Sequence, residues 1–461
     1  MPTRRFPTPL PSEQIVADQT QTSGPRQTLS IGAGASFLIG IVIGIGIFRT
    51  PSLVAANVPN DAAFMAVWLA GGLIMLVGAL CYAELGSAWP NAGGEYHFLR
   101  SAFGARIGVL FAWSRGTVIQ TGAIAAVAFV YGDYASRILP LGEFGSAIHA
   151  LLAIAIITAV NLAGTRPSTR VQLGLTVLAV TALGIVVAAG FTVPAAPATE
   201  PPAGGGAVGL AMVFVLLTYG GWNEVAYLSG EMKDVQRNMI RALGLGTAVV
   251  VALYLAANYG YLRTLGLEQL RATDTVGAEL IRRFAGDIGA MLFSLSVCIC
   301  ALSTLNATVF TGARAYYALG RDVSLIRRLG IWDEQGDKPA NALLLQTAIA
   351  IGLVVFGAAT RSGFEAMVAY TAPVFWFFLF LVAISVIVFR QRGVPLPYRM
   401  PLYPLPPLLF GAAAAWMVYS SVLYAGIGSL LGIAVVLVGL PLLPLASKKA
   451  VGGAEGSPPT V

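Results

Sequence analysis

Ile41-Val42-Ile43-Gly44-Ile45-Gly46-Ile47-Phe48 is the stretch on which the reading of this chain turns. It has a distant counterpart in Leu217-Thr218-Tyr219-Gly220-Gly221-Trp222-Asn223-Glu224. Each lies midway along an apolar run long enough to cross a bilayer, and each puts paired glycines where a spanning helix is better served by Leu or Ala. A glycine inside a helix costs about 1 kcal/mol against alanine. Lipid offers no hydrogen bonds to freed backbone groups, so a helix breaks in a membrane only where the break is buried in protein or lines a cavity. Two such breaks at matching places in two halves of a chain point to a transporter binding site near the midplane. The sequence therefore predicts that these breaks hold the two ends of an amino-acid-like substrate.

Composition sets the surroundings. Of 461 residues, 57% are hydrophobic and only 11% charged; the mean hydropathy is +0.77. Soluble domains carry about 25% charged residues, so this reads as a membrane protein with the lipid bilayer as its partner. The net charge of +7 reads as basic loops rather than as a nucleic-acid surface. Cys81, Cys298 and Cys300 all fall inside apolar runs and lack metal-binding spacing. The two histidines, His97 and His149, sit near span ends, and neither a nucleophile–base set nor a P-loop is present. The expectation is no enzyme, no cofactor and no ATP-driven pumping.

A window of about 20 apolar residues marks spans near 31–56, 63–86, 106–132, 146–163, 171–192, 207–229, 240–262, 288–317, 341–359, 364–389, 404–424 and 427–446. The predicted fold is an all-α polytopic membrane protein with twelve transmembrane helices. Residues 29–192 hold helices 1–5, 207–389 hold helices 6–10, and 404–446 hold the last two. Residues 1–28 and 447–461 read as polar cytoplasmic tails. Because helix 6 repeats the break of helix 1 after five crossings, the two fives form an inverted repeat. Seven basic residues, Arg49, Arg137, Arg263, Arg271, Arg282, Arg283 and Arg361, fall on one side, and Arg115 lies within helix 3. The other Lys and Arg of the total of 28 fall on the side of the termini, which the positive-inside rule assigns to the cytoplasm. The plain chain suggests a plasma (inner) membrane of prokaryotic type. Residues 264–287 read as a short amphipathic helix on the outer surface.

At the first break, unwinding at Gly44 and Gly46 frees N–H groups at the start of a half-helix, beside the positive end of its dipole, and a carboxylate is the natural guest. The carbonyls of Val42 and Ile43 then face an ammonium, as do those of Leu217, Thr218 and Gly220 at the second break. A packing seam Gly40-x-x-x-Gly44 is the plain alternative. Glu224 is a carboxyl in a span, which is costly and usually functional. It reads as a proton site, a gate partner or half of an ion pair with Arg115. Ser303 and Thr304 can ligate Na⁺ with helix 1 carbonyls, or simply bond their own helix. Gln120, Phe375 and Trp376 are candidates for the substrate's side-chain pocket.

These residues resemble the amino acid–polyamine–organocation superfamily, and within it the L-type amino acid transporter-like permeases. The resemblance rests on Gly40 to Phe48, read as G-x-x-x-G-x-G-I-F. It also rests on Val77 to Gly86 with Pro90, Gly93, Gly94 and Tyr96, on Val160-Asn161, and on Thr169-Arg170-Val171-Gln172. Tyr219 to Asn223 with Gly230-Glu231-Met232 and Arg237-Asn238, and Asn306 to Arg314, complete it. It implies the five-plus-five fold with two added helices. It places the substrate carboxylate on Gly44, Ile45 and Gly46, and the ammonium among Val42, Ile43, Leu217, Thr218 and Gly220, with Tyr219, Trp222 and Asn223 beside them. The chain departs from the family at three places. Ile45 replaces a Ser or Thr, Ala179 stands where many relatives carry a lysine that substitutes for sodium, and residues 133–147 lack the cysteine that joins animal relatives to a glycoprotein. The expectation is therefore an amino acid transporter, for neutral L-amino acids, acting by alternating access as an exchanger or an H⁺- or Na⁺-coupled symporter, with no disulfide-linked subunit. Cationic amino acids or polyamines are the alternative, with a channel or membrane enzyme further off.

Overall fold

The computed structural model describes residues 31–90, 93–197, 207–273, 275–359, 363–394, 396–425 and 427–445. The expected tails at 1–28 and 447–461 and Arg361 lie outside them.

The named elements are all helices. In chain order they are α1 (Ile31–Val42), α2 (Gly46–Ala56), α3 (Asp61–Ala88), α4 (Glu95–Phe103), α5 (Ala105–Ser114), α6 (Thr121–Ile138), α7 (Gly145–Leu162) and α8 (Thr165–Thr192). There follow α9 (Val208–Thr218), α10 (Val235–Ala272), α11 (Val276–Asp322), α12 (Ala340–Ala358), α13 (Gly363–Gln391), α14 (Leu405–Ala425) and α15 (Ile427–Val438). A π-helical stretch, Arg115–Gln120, joins α5 to α6 without a turn. A 3₁₀ segment, Trp222–Glu231, follows α9.

Among the described residues, ten helices are long and apolar enough to cross a membrane. This is an integral, multi-pass membrane protein. Its polarity is that of a protein in lipid. On α7, Ile148, Leu152 and Ile156 recur every four residues and are all exposed, which puts one helix face outward. Glu84, Glu95, Arg115, Gln172, Asn306 and Gln346 are buried inside. Residues 31–56 divide into helices of 12 and 11 residues, each too short to cross alone.

Two expected boundaries change. The last span ends as an α-helix at Val438 rather than 446, and 440–445 continues as a 3₁₀ turn. Pro441 and Pro444 explain this, since proline lacks the N–H that an α-helix needs. The expected outer helix at 264–287 is two short pieces that bend away from α10 at Gly266 and from α11 at Gly286, both at positive φ. Leu267, Leu270, Val276, Leu280 and Ile281 are buried as the pattern required, but Phe284 is exposed. Arg271, in the first piece, donates to the carbonyls of Ala55 and Val58 at 2.9 and 2.7 Å. It thereby caps the free carbonyl end of α2.

The elements around the break pack as a cage. α1 lies against α10 and α8, α2 against α9, and α11 against α8 and α6.

Candidate functional site

Both glycine-marked stretches are broken. The last turn of α1 closes with Ile43 N–H on the Ile39 carbonyl at 2.8 Å. Gly44 N–H then folds back to Val42 at 2.6 Å, and the helix restarts at Gly46. A Cβ on Gly44 would lie 2.4 Å from Thr304 Oγ1, and one on Gly46 would lie 3.2 Å from Thr218 Cα. The first glycine thus admits α11, and the second admits the end of α9. At the other break, Gly220 N–H bonds Leu217 carbonyl at 3.0 Å. Gly221 takes φ 103°, a left-handed angle that favours glycine. A side chain there would also meet Ile41 Cγ2 at 2.6 Å. The two breaks therefore touch each other directly.

One side chain joins them. Tyr254, fully buried on α10, donates to the Val42 carbonyl at 2.5 Å, and its hydroxyl oxygen lies 3.5 Å from the Thr218 carbonyl. A donor is thus already placed where carbonyls from both breaks converge. Thr50 and Thr218 bring their hydroxyls within 2.5 Å across the same junction. On the opposite side of the first break, α2 begins at Gly46 with Ile45 as its cap residue, and no side chain caps it. The first N–H groups of any helix have no partner within it, so this buried helix start is suited to an anion.

The structure sorts the remaining candidates. Val42, Ile43, Gly44, Ile45, Gly46, Leu217, Thr218 and Gly220 form the junction. Tyr219 reaches instead toward α3, with its hydroxyl 3.3 Å from the Trp68 carbonyl and its ring beside Tyr254. Trp222 packs edge-on against Tyr82 and Phe410. Gln120 donates to the Thr308 carbonyl at 2.7 Å and to Thr311 Oγ1 at 3.1 Å, which ties the π-helical stretch to α11. Phe375 lines a narrow crevice with Glu95 and Arg115, and Trp376 is buried beside it. Ser303 accepts from Gln172 Nε2 at 3.0 Å. That bond belongs to a buried chain in which Gln172 also accepts from Asn306, and Asn306 accepts from Asn161. Thr304 donates to the Cys300 carbonyl at 3.3 Å and faces Gly44.

Glu224 is paired with Arg115, one of the three roles its position allowed. Arg115 Nη2 lies 2.6 and 2.8 Å from the two Glu224 oxygens, and Nη1 lies 3.1 Å from Glu95 Oε2. Glu95 also accepts from Tyr227 and Asn223, each at 2.9 Å, and from Tyr82. The Tyr227 ring lies under the guanidinium at 4.2 Å. The sequence reading missed Glu95 and Tyr254. Both carried a signal: a carboxyl directly after the Gly93-Gly94 pair, and a hydroxyl midway through an apolar span.

The family described as "Amino acid permease" matches residues 32–445. The chain belongs to this family. The permease is 27% identical over 438 residues to the large neutral amino acids transporter small subunit 2 of Homo sapiens, covering 90% of this chain and 80% of that one. It is 26% identical over 399 residues to the b(0,+)-type amino acid transporter 1 of Mus musculus, covering 84% and 81%. These relatives are transporters, not enzymes.

Proposed function

We propose that the protein carries neutral L-amino acids across the membrane by alternating access. The substrate carboxylate sits on the N–H groups that open α2, at Ile45 and Gly46, joined by Gly44 N–H when it turns from the Val42 carbonyl. Its ammonium sits between the carbonyls of Val42 and Thr218, with Ile43, Leu217 and Gly220 completing the wall. The observation that carries this reading is Tyr254, whose hydroxyl holds the place that an ammonium donor takes. A bound zwitterion displaces or shares that hydroxyl and neutralises both helix ends at once.

A neutral substrate is favoured because Glu224, the carboxyl next to the second break, is spent on Arg115. An arginine or polyamine would need that charge for itself. Counting α1 with α2 as one crossing and the short last helix as another gives twelve crossings. The five-plus-five inverted repeat fits the two breaks, and the excess of Lys and Arg in alternate loops supports cytoplasmic termini at the plasma (inner) membrane. Cys81, Cys298 and Cys300 are free and buried, which supports a protein without a disulfide-linked subunit.

Purified protein in proteoliposomes, given a panel of labelled amino acids with and without internal substrate, tests the reading. Saturable exchange of neutral L-amino acids is expected, with putrescine and arginine failing to compete. Absence of uptake and exchange under every gradient overturns it.

A further inference from the structure

The Glu95–Arg115–Glu224 cluster is out of charge balance. Arg115 is 1% exposed, and the Glu95 and Glu224 side chains are 3% and 12% exposed. One guanidinium faces two carboxylates, and an unpaired charge buried in a membrane protein is expensive. Among the described residues, no second cation is paired with either carboxyl. Tyr82 on α3 and Tyr227 on the 3₁₀ segment donate hydroxyls, Asn223 donates an amide, and the crevice wall is Phe111, Ile119, Phe375 and Phe378. One proton on the pair of carboxyls brings the cluster to neutrality.

The hydrogen bonds decide which. Glu95 accepts from four donors: Tyr82, Asn223, Arg115 and Tyr227. Four donors fill the roughly four lone-pair sites of a carboxylate, so a proton on Glu95 would displace one of them. Glu224 has the single Nη2 group of Arg115, which spans both its oxygens, and it is the more exposed of the two. Arg115 Nε, buried beside it, has no partner.

We propose that Glu224 is a proton-binding site, and that a proton there loosens the tie between the Trp222–Glu231 segment and helix 3. Protonation turns the Glu224 carboxylate into an acid and the charge pair with Nη2 into a hydrogen bond to a neutral oxygen. Arg115 keeps Glu95 as its counter-ion, and the cluster falls from one net negative charge to none. Glu224 lies three residues after Gly221, so this tie restrains the half of span 6 that begins at the second break. Proton occupancy and movement at the binding junction are then linked, and linkage is reciprocal. The inference rests on the transport reading above.

The test uses proteoliposomes held at zero voltage. One proton per neutral substrate supports about tenfold accumulation for each unit of inward pH gradient, because the two free-energy ratios must balance. For each variant, gradient-driven uptake is divided by its own exchange at symmetric pH. Wild type and Glu224→Asp, which keeps an acid, should accumulate substrate. Glu224→Gln should exchange without accumulating. Equal accumulation by Glu224→Gln, or loss of it in an exchanging Glu224→Asp, overturns the proposal. Wild type that exchanges but never accumulates under a proton gradient also overturns it and leaves the permease reading standing. Wild type that does neither refutes the transport reading itself. If Glu224→Gln shows no transport, proton uptake on adding a neutral amino acid to purified protein in weak buffer is read with a pH dye. About one proton per wild-type molecule is expected, and an equal count in monodisperse Glu224→Gln overturns the proposal.

Discussion

Gly44→Ala probes the junction most directly. The added Cβ would lie 2.4 Å from Thr304 Oγ1, about 1 Å inside ordinary contact, while Thr304 Cβ stays at 3.4 Å. The hydroxyl cannot retreat without giving up its bond to the Cys300 carbonyl at 3.3 Å. A weak bond of that kind is worth about 0.5–1 kcal/mol. Overpacking a tight site costs about 1–3 kcal/mol, so a loss of about 2 kcal/mol is expected. Thr304→Ala removes the offending oxygen and leaves only a 3.4 Å contact. The double variant should therefore regain most of the loss, and the cycle should show a coupling energy of about 1–2 kcal/mol. The assay is unfolding of purified protein in detergent, with and without a neutral amino acid. Substrate-induced stabilisation should fall in Gly44→Ala and return in the double variant. Gly44→Ala as stable as wild type, or a double variant no better than Gly44→Ala, would refute the packing argument.

Other substitutions test other parts. Tyr254→Phe removes one of the two donors on the Val42 carbonyl, which keeps Gly44 N–H, and should destabilise the substrate-free protein by about 0.5–1.5 kcal/mol, the net worth of one buried hydrogen bond. Substrate should then stabilise this variant more than wild type, since its ammonium replaces the lost donor; an equal or smaller shift argues that the hydroxyl stays in place when substrate binds. Glu84 is fully buried and is held by Arg390 through two bonds of 2.7 and 2.6 Å and by Met400 N–H at 2.6 Å. Arg390→Ala should cost about 3–5 kcal/mol by stranding that charge. Arg390→Lys should recover only part, because an ammonium cannot reproduce the two-pronged contact; full recovery in a thermal melt would show that geometry is unimportant there.

The breaks were legible because glycine pairs in an apolar run have few other uses, and both fell where the sequence put them. So, with Phe284 excepted, did most of the buried face of the 264–287 connection, whose Leu and Val spacing is a local pattern. What the sequence hid was direction. Tyr219 and Trp222 adjoin the second break in the chain, yet their rings point into α3 and α14. Tyr254 is 36 residues from Thr218 and meets it only because α10 packs on α1. Glu95 became visible as a partner only when α4 was laid across helix 3. Contacts between distant segments of the chain are written by packing, and a single sequence carries little trace of them.

The π-helical turn in helix 3 has a consequence of its own. An α-helix rotates by about 100° per residue, so side chains five apart point about 140° away from each other. Arg115 and Gln120 are five apart, yet both are buried, one bonding Glu224 and the other Thr308. The wider turn acts as a spacer in the winding. Within it Gly116 and Gln120 both face α11 while Arg115 reaches the Trp222–Glu231 segment, so one stretch of helix serves two internal neighbours. Deleting one residue from this stretch would swing everything downstream by a quarter-turn and more, so its length is as much a constraint on the protein as any of its side chains.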